Sequence, residues 1–165
     1  HDAPLHIIEA VVKVNEDRRR QMADKIVSAC GGSVDGKTIA VLGLTFKPNT
    51  DDMRDSPSLA IVPALQKSGA KIRAFDPQGM TEAAELMPGI TFCGDAYETM
   101  EGADALAIVT EWNEFRLLDL ERVKGLLSAP LIIDLRNIYK ADEIIKAGFD
   151  YFSVGRDPVL AATAQ

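Results

Sequence analysis

Gly36-Lys37-Thr38-Ile39-Ala40-Val41-Leu42-Gly43-Leu44-Thr45-Phe46-Lys47-Pro48-Asn49-Thr50-Asp51-Asp52-Met53-Arg54-Asp55-Ser56-Pro57 organises the rest of the chain. A Gly-Lys turn leads into a β-branched, apolar run with the length and composition of a buried parallel strand. The run ends at Gly43 and gives way to a polar loop carrying Lys47 and Arg54. Ser56-Pro57 reads as a helix N-cap followed by proline at the first helical position, where its missing N–H is no loss. Strand, loop and helix in that order open a βαβ unit, and open parallel sheets bind ligands in the loops at their carboxyl ends. Two cations facing a helix start predict an anionic ligand such as a phosphate.

The same alternation continues outward. The spacing of Leu59, Ile61, Val62 and Leu65 predicts a helix from Pro57 to Ser68, stopped by Gly69. A strand follows over Lys71–Phe75, ended by Asp76-Pro77. Short elements follow: a helix over 81–87, a strand over 90–92 and a helix over 95–100 capped by Asp95. Residues 103–109 read as a buried strand, 110–113 as the loop at its carboxyl end and 117–127 as a helix. A strand over 130–134, a helix over 141–147 and an edge strand over 149–152 complete the series. Without internal repeats, this pattern predicts the α/β class: a Rossmann-like, three-layer, doubly wound parallel sheet preceded by a long N-terminal helix. The expected boundaries are 1–30 for the helix, 36–157 for the sheet domain and 158–165 for a frayed tail.

Composition bounds the rest. The 165 residues suit one domain with a real core, and 47% hydrophobic against 26% charged content is globular, not disordered. A net charge of −7 argues against nucleic acid and anionic membranes as partners. No apolar run approaches the ~20 residues of a membrane span, and no secretory leader is visible. Cys30 and Cys93 are too few for a disulfide framework, and no Cys/His spacing suits a metal; both read as reduced thiols of a cytoplasmic protein.

From Pro4 to Ala29 there is neither glycine nor a second proline. Leu5, Ile8, Val12, Asn15, Arg19, Met22, Ile26 and Ala29 recur at alternating steps of three and four, a seam like that of a coiled coil. Ile7, Val11 and Val14 form a second stripe beside it, so the first half is apolar over more than one face. The helix either lies across its own domain or packs on a partner subunit or a further domain. The abrupt start at His1 favours the latter, and Asn15 is then placed to set register.

The sheet invites a dinucleotide reading that its first βα turn refuses. Gly43-Leu44-Thr45-Phe46-Lys47 has one glycine where the fingerprint needs three. Asp76 closes the second strand, where a ribose-binding acid would sit, but Asp-Pro is more often a simple turn. Side chains must therefore do what the glycine loop does elsewhere. Lys47, held on a stiff loop by Pro48, suits a phosphate or sugar oxygen. Arg54 either joins it or pairs with Asp51, Asp52 or Asp55. Arg136 either reaches the same edge or pairs with Asp134. Trp112 either caps the site or packs in the core.

These residues together resemble a known family. The segment from Gly43 to Pro57, with Val109-Thr110-Glu111-Trp112-Asn113-Glu114-Phe115 and Asp134-Leu135-Arg136-Asn137-Ile138-Tyr139, closely resembles the UDP-binding domain of the UDP-glucose/GDP-mannose dehydrogenase family. The Lys-Pro-Asn-Thr-Asp-Asp-Met-Arg loop and the Arg-Asn-Ile-Tyr ending resemble the bacterial members acting on UDP-glucose more than those acting on GDP-mannose or UDP-N-acetylhexosamines. Residues 1–30 resemble the end of the family's central helical dimerisation region. The resemblance implies oxidation of the C6 alcohol of a UDP-sugar to a carboxylate in two hydride transfers to NAD, through a thiohemiacetal and a thioester on a cysteine. It implies substrate contacts at Lys47, Phe46 and Arg136, and a contact from Arg54 to NAD. It also implies a homodimer through the N-terminal helix. The family's glycine-rich NAD domain and its catalytic cysteine segment are absent from this chain, and neither Cys30 nor Cys93 sits in such a setting. The chain alone is expected to be inactive. A stand-alone nucleotide-binding regulatory module is the alternative from another functional class.

Overall fold

The computed structural model describes residues 3–161. A long helix α1 (Ala3–Ala29) is followed by β1 (Thr38–Leu42), α2 (Ser58–Lys67), β2 (Lys71–Phe75), α3 (Met80–Leu86), β3 (Thr91–Phe92) and α4 (Ala96–Met100). The second half adds β4 (Ala105–Ile108), α5 (Asn113–Arg116), α6 (Leu120–Leu126), β5 (Leu131–Asp134), α7 (Ala141–Lys146) and β6 (Asp150–Ser153). The strands form one parallel sheet in the order β3-β2-β1-β4-β5-β6. This is the doubly wound order. The chain leaves β1 toward β2 and leaves β4 toward β5, so a crevice opens between their carboxyl ends.

Strand periodicity sorts the core into two layers. Ile39, Val41, Ile72, Ala74, Ala107 and Ile133 pack with Ile26 of α1, Ile61 and Leu65 of α2, and Ala83 of α3. Ala40, Leu42, Leu106, Ile108, Ile132 and Tyr151 pack with Met100 of α4, Phe115 of α5, Val123 of α6 and Ile144 of α7. Both faces of β1 and β4 are buried, so those segments read as continuous apolar runs.

Several boundaries differ from expectation for local reasons. Helix α2 starts one residue late, with Pro57 as its cap. The Ser56 hydroxyl accepts from the Ser58 amide at 3.3 Å and donates to the Leu44 carbonyl at 2.5 Å, where Ser58 Oγ also donates at 2.6 Å. The expected helix over 117–127 begins three residues late, at Leu120. The Asp119 carboxylate takes the amides of Glu121 and Arg122 and starts α6 there, leaving Leu117 82% exposed. Asn113, expected as loop, and the three residues after it form the one-turn α5, in which Phe115 is drawn fully into the core.

The tail is held further than expected. Val159 exchanges two backbone hydrogen bonds with Tyr151, and the Ala161 amide donates to Asp150 Oδ1 at 2.9 Å. The chain thus covers the free edge of β6, which would otherwise present unpaired backbone groups. The remainder of the expected frayed segment, 162–165, lies outside the described residues.

Helix α1 meets the first of its two expectations along its second half only. Its second half packs on its own domain, with Ala23, Ile26 and Cys30 beside α2 and β5. Gly31 and Gly32, at φ +86 and +92, close it, and the Gly32 amide returns to the Val27 carbonyl. Arg19 Nη2 donates to the Asp55 carbonyl at 2.9 Å on the loop after β1, while the Cys30 carbonyl accepts from Lys37 Nζ just before β1. The helix therefore runs antiparallel to the strands, and its sixteen residues before Arg19 extend about 24 Å beyond the carboxyl edge of the sheet. There Leu5, Ile7, Ile8, Val11, Val12 and Val14 are all more than half exposed. Among the described residues, no helix is long and apolar enough to cross a membrane.

Candidate functional site

The crevice is floored by a close contact between β1 and β4. Gly43 has φ +89, and a Cβ there would lie 2.4 Å from Thr110 Cβ and 2.6 Å from the Thr110 amide nitrogen. Only glycine permits both the turn and the approach. Above it, Thr110 Oγ1 donates to the Thr45 carbonyl at 2.7 Å, and the Phe46 amide donates to the Asp52 carbonyl at 2.9 Å. Leu44 and Thr45 are fully buried, whereas Phe46 is 49% exposed and Lys47 is exposed. The buried half of the loop fixes the exposed half at the mouth of the crevice.

The three candidate cations share this edge of the sheet, but no hydrogen bond or ion pair joins them among the described residues. Lys47 makes no ion pair among those residues. Arg54 grips Asp52, with Nε 3.0 Å from Oδ1 and Nη2 2.9 Å from Oδ2, so the expected alternative of local pairing is realised at Asp52. The Arg54 side chain is still 89% exposed. Beside it, a cleft of about 700 Å³ between the loop and α3 is lined by Thr50, Met53, Leu59, Glu82 and Leu86.

Hydrogen bonds from the Arg54 guanidinium, then from its backbone amide, hold the Asp52 carboxyl down at about 2. A depressed folded-state value favours the folded loop above the ordinary 3.8 and loses that effect as pH falls toward about 2. The exposed pair adds little to global stability. The Asp52 carboxyl carbon is expected to titrate by NMR with a midpoint near 2, and the midpoint should move up toward 3.8 in Arg54→Ala.

Arg136 does not pair with Asp134 through its side chain. Its Nη2 donates to Glu111 Oε1 at 2.8 Å, and its Nε lies 2.7 Å from Glu111 Oε2, which joins the loops after β4 and β5. Burial works to raise the Glu111 carboxyl, but the hydrogen bond and charge of Arg136 outweigh it and hold it below its usual range. Buried Asp134 is instead an anchor, accepting from the Arg136 and Tyr139 amides and from the Tyr151 hydroxyl at 2.7 Å. Burial, reinforced by Asp134, pushes both phenols well above their ordinary value. Tyr139 donates to the Phe115 carbonyl and so secures this loop from within.

Trp112 packs in the core, where its indole N–H reaches Asp76 Oδ2 at 3.2 Å. Asp76 is fully buried and bonded by its neighbours' donors, so it presents nothing to a ribose. With the β1–β4 approach closed by Gly43 against Thr110, the sheet offers neither a pyrophosphate cradle nor a ribose acid. NAD does not fit it as a self-contained dinucleotide site.

Glu111 escaped the sequence reading because an acid three residues past a strand has no local signal for a partner 25 residues on. Thr45 and Thr110 escaped it because their hydroxyls act across strands. Both cysteines are free and buried. Burial is the main cause that pushes the Cys30 thiol up, opposed by Lys37, which does not favour a nucleophilic thiolate.

Comparison with known proteins agrees with this geometry. The profile of the UDP-glucose/GDP-mannose dehydrogenase family, UDP binding domain, matches residues 40–141. A UDP-glucose 6-dehydrogenase of Rhizobium meliloti (strain 1021) is 54% identical over 156 residues, covering 94% of this chain and 36% of that protein. UDP-glucose 6-dehydrogenase TuaD of Bacillus subtilis (strain 168) is 44% identical over 157 residues, covering 94% and 34%. Among solved structures, a UDP-glucose dehydrogenase from Pyrobaculum islandicum superposes with a TM-score of 0.68 at 31% identity, over 82% of this chain and 30% of that one. The chain thus spans about a third of the length of the curated relatives it matches. It belongs to the UDP-glucose/GDP-mannose dehydrogenase family, and the sheet with its crevice is the family's UDP-binding domain.

Proposed function

We propose that the chain is the UDP-sugar-binding part of an NAD-dependent UDP-glucose 6-dehydrogenase acting in the cytoplasm on UDP-glucose to give UDP-glucuronate. One observation carries the reading. The loop after β1 holds Phe46 and Lys47 outward at the switch point while its buried half is locked to β4. An exposed ammonium at that point suits a diphosphate or sugar oxygen, and an aromatic ring beside it suits a flat base or a sugar face. Arg136, steadied by Glu111, offers a guanidinium from the β5 side and is assigned to the UDP-sugar. The assignment to UDP-glucose over other nucleotide sugars is supported by relatives of that name at 54% and 44% identity.

NAD belongs to residues outside this chain, and Arg54 is the group placed to meet it from this side. In the full-length enzyme, Arg54→Ala is expected to raise the KM for NAD several-fold while changing the KM for UDP-glucose less than twofold, on the scale of one exposed charged contact. Steady-state kinetics with each substrate varied in turn check this, and the opposite pattern reassigns Arg54. Without the rest of the enzyme, the chain is expected to form no NADH from UDP-glucose.

The projecting half of α1 is assigned to a homodimer contact. Its apolar residues lie on more than one face beyond the domain's own core, as a helix packed on a second subunit requires. Replacing Ile8 and Val12 by Glu is expected to convert dimer to monomer in sedimentation equilibrium without unfolding the sheet domain. A variant that remains dimeric contradicts the assignment.

A further inference from the structure

Asp76 is fully buried and has no part in the functions assigned so far. In dinucleotide-binding sheets an acid that closes the second strand turns outward to a ribose. Here both oxygens are engaged from inside the protein. Oδ1 accepts from the Gln78 amide at 3.0 Å and the Gly79 amide at 2.8 Å, which closes the turn after β2. Oδ2 faces the Leu44 amide at 2.7 Å, the Thr45 amide and hydroxyl at 3.1 Å each, and Trp112 Nε1 at 3.2 Å. The loops after β1, β2 and β4 therefore meet on one carboxyl group.

Thr45 extends this junction toward the crevice. Its Oγ1 also lies 3.1 Å from the Lys47 carbonyl, and its single proton serves one acceptor at a time. The Thr45 amide, donating to Asp76 Oδ2, holds the residue to the carboxylate, so that a hydroxyl donating to the Lys47 carbonyl ties Asp76 to the Lys47 backbone through Thr45. Gly79 lets the two loops close over it, since a Cβ there would lie 2.4 Å from Thr45 Cγ2. A lysine ammonium rides on a flexible stem, so its location depends on where the backbone starts that stem. Small misplacements of a gripping group are expensive in rate.

We propose that Asp76, acting through Thr45, is the positioning residue for Lys47: in this sheet the acid that closes β2 sets the substrate-gripping loop. The proposal rests on the assignment of Lys47 to the sugar nucleotide. It makes the effect of Asp76 and Thr45 on UDP-glucose turnover conditional on the lysine being present, which a residue that merely supports the fold does not.

A double-mutant cycle in the full-length enzyme tests this. Thr45→Val keeps the branched shape and removes the hydroxyl. It is expected to lower kcat/KM for UDP-glucose about tenfold, the scale of one buried hydrogen bond, with the KM for NAD unchanged. In a Lys47→Ala background the same change is expected to cost less than twofold. Asp76→Asn should follow the same pattern with a larger first effect. If that variant melts out, Thr45→Val alone decides the matter. Equal losses from Thr45→Val with and without Lys47 overturn the positioning role and leave the substrate role of Lys47 standing. No effect of Lys47→Ala by itself overturns both.

Discussion

Gly43→Ala is expected to lower folding stability by about 3 kcal/mol, because two penalties act at one atom. The backbone there is at φ +89, which disfavours any L side chain, and the new methyl meets Thr110 at 2.4 Å from its Cβ and 2.8 Å from its Cα. The strain has no soft outlet. Thr110 is itself fixed by its hydrogen bond to Thr45, and both strands below it are buried on both faces. For a chain of this size the loss corresponds to about 6–12 °C in melting temperature. Scanning calorimetry checks it, and a melting temperature within about 1 °C of the parent would show that the β1–β4 approach is not tight. Any surviving folded protein should also bind ligand less well, since the same contact floors the crevice.

Lys47→Ala is expected to do the reverse, sparing the fold and damaging function. Lys47 is exposed and makes no ion pair among the described residues, so its truncation leaves no buried group unsatisfied. In the full-length enzyme we expect kcat/KM for UDP-glucose to fall about 10- to 100-fold, the scale of one charge-assisted hydrogen bond to a substrate oxygen. The melting temperature should be unchanged. A parental rate in this variant would remove Lys47 from the substrate site.

The fold was legible because each local signal agreed with the next. The apolar run 38–42 was long enough to be buried on both faces, glycines stood at the turns, and Asp95 announced its own helix. The disagreements came where one side chain outweighed the periodicity. Asp119 starts at Leu120 a helix that the leucine spacing alone would have begun at Leu117, and Val159 finds a strand edge that no local pattern announces. The site was legible as a set of cations on one edge and not as a set of partners. Arg54 took Asp52 from among three nearby acids, whereas Arg136 passed over Asp134 for Glu111 on the loop after β4. Asp76 shows the limit most clearly. Its turn role follows from the Asp-Pro pair, but its junction with Thr45 and Trp112 depends on the strand order β2-β1-β4, which brings three distant segments together.

Titration calorimetry tests directly whether the loop after β1 grips a uridine diphosphate sugar through Lys47. UDP and UDP-glucose, added in turn to the parent and to Lys47→Ala, are expected to bind the parent and to give little or no heat with the variant, while GDP-mannose binds the parent more weakly than either. Equal binding of UDP-glucose by parent and variant, or no heat from the parent at millimolar ligand, would contradict that grip.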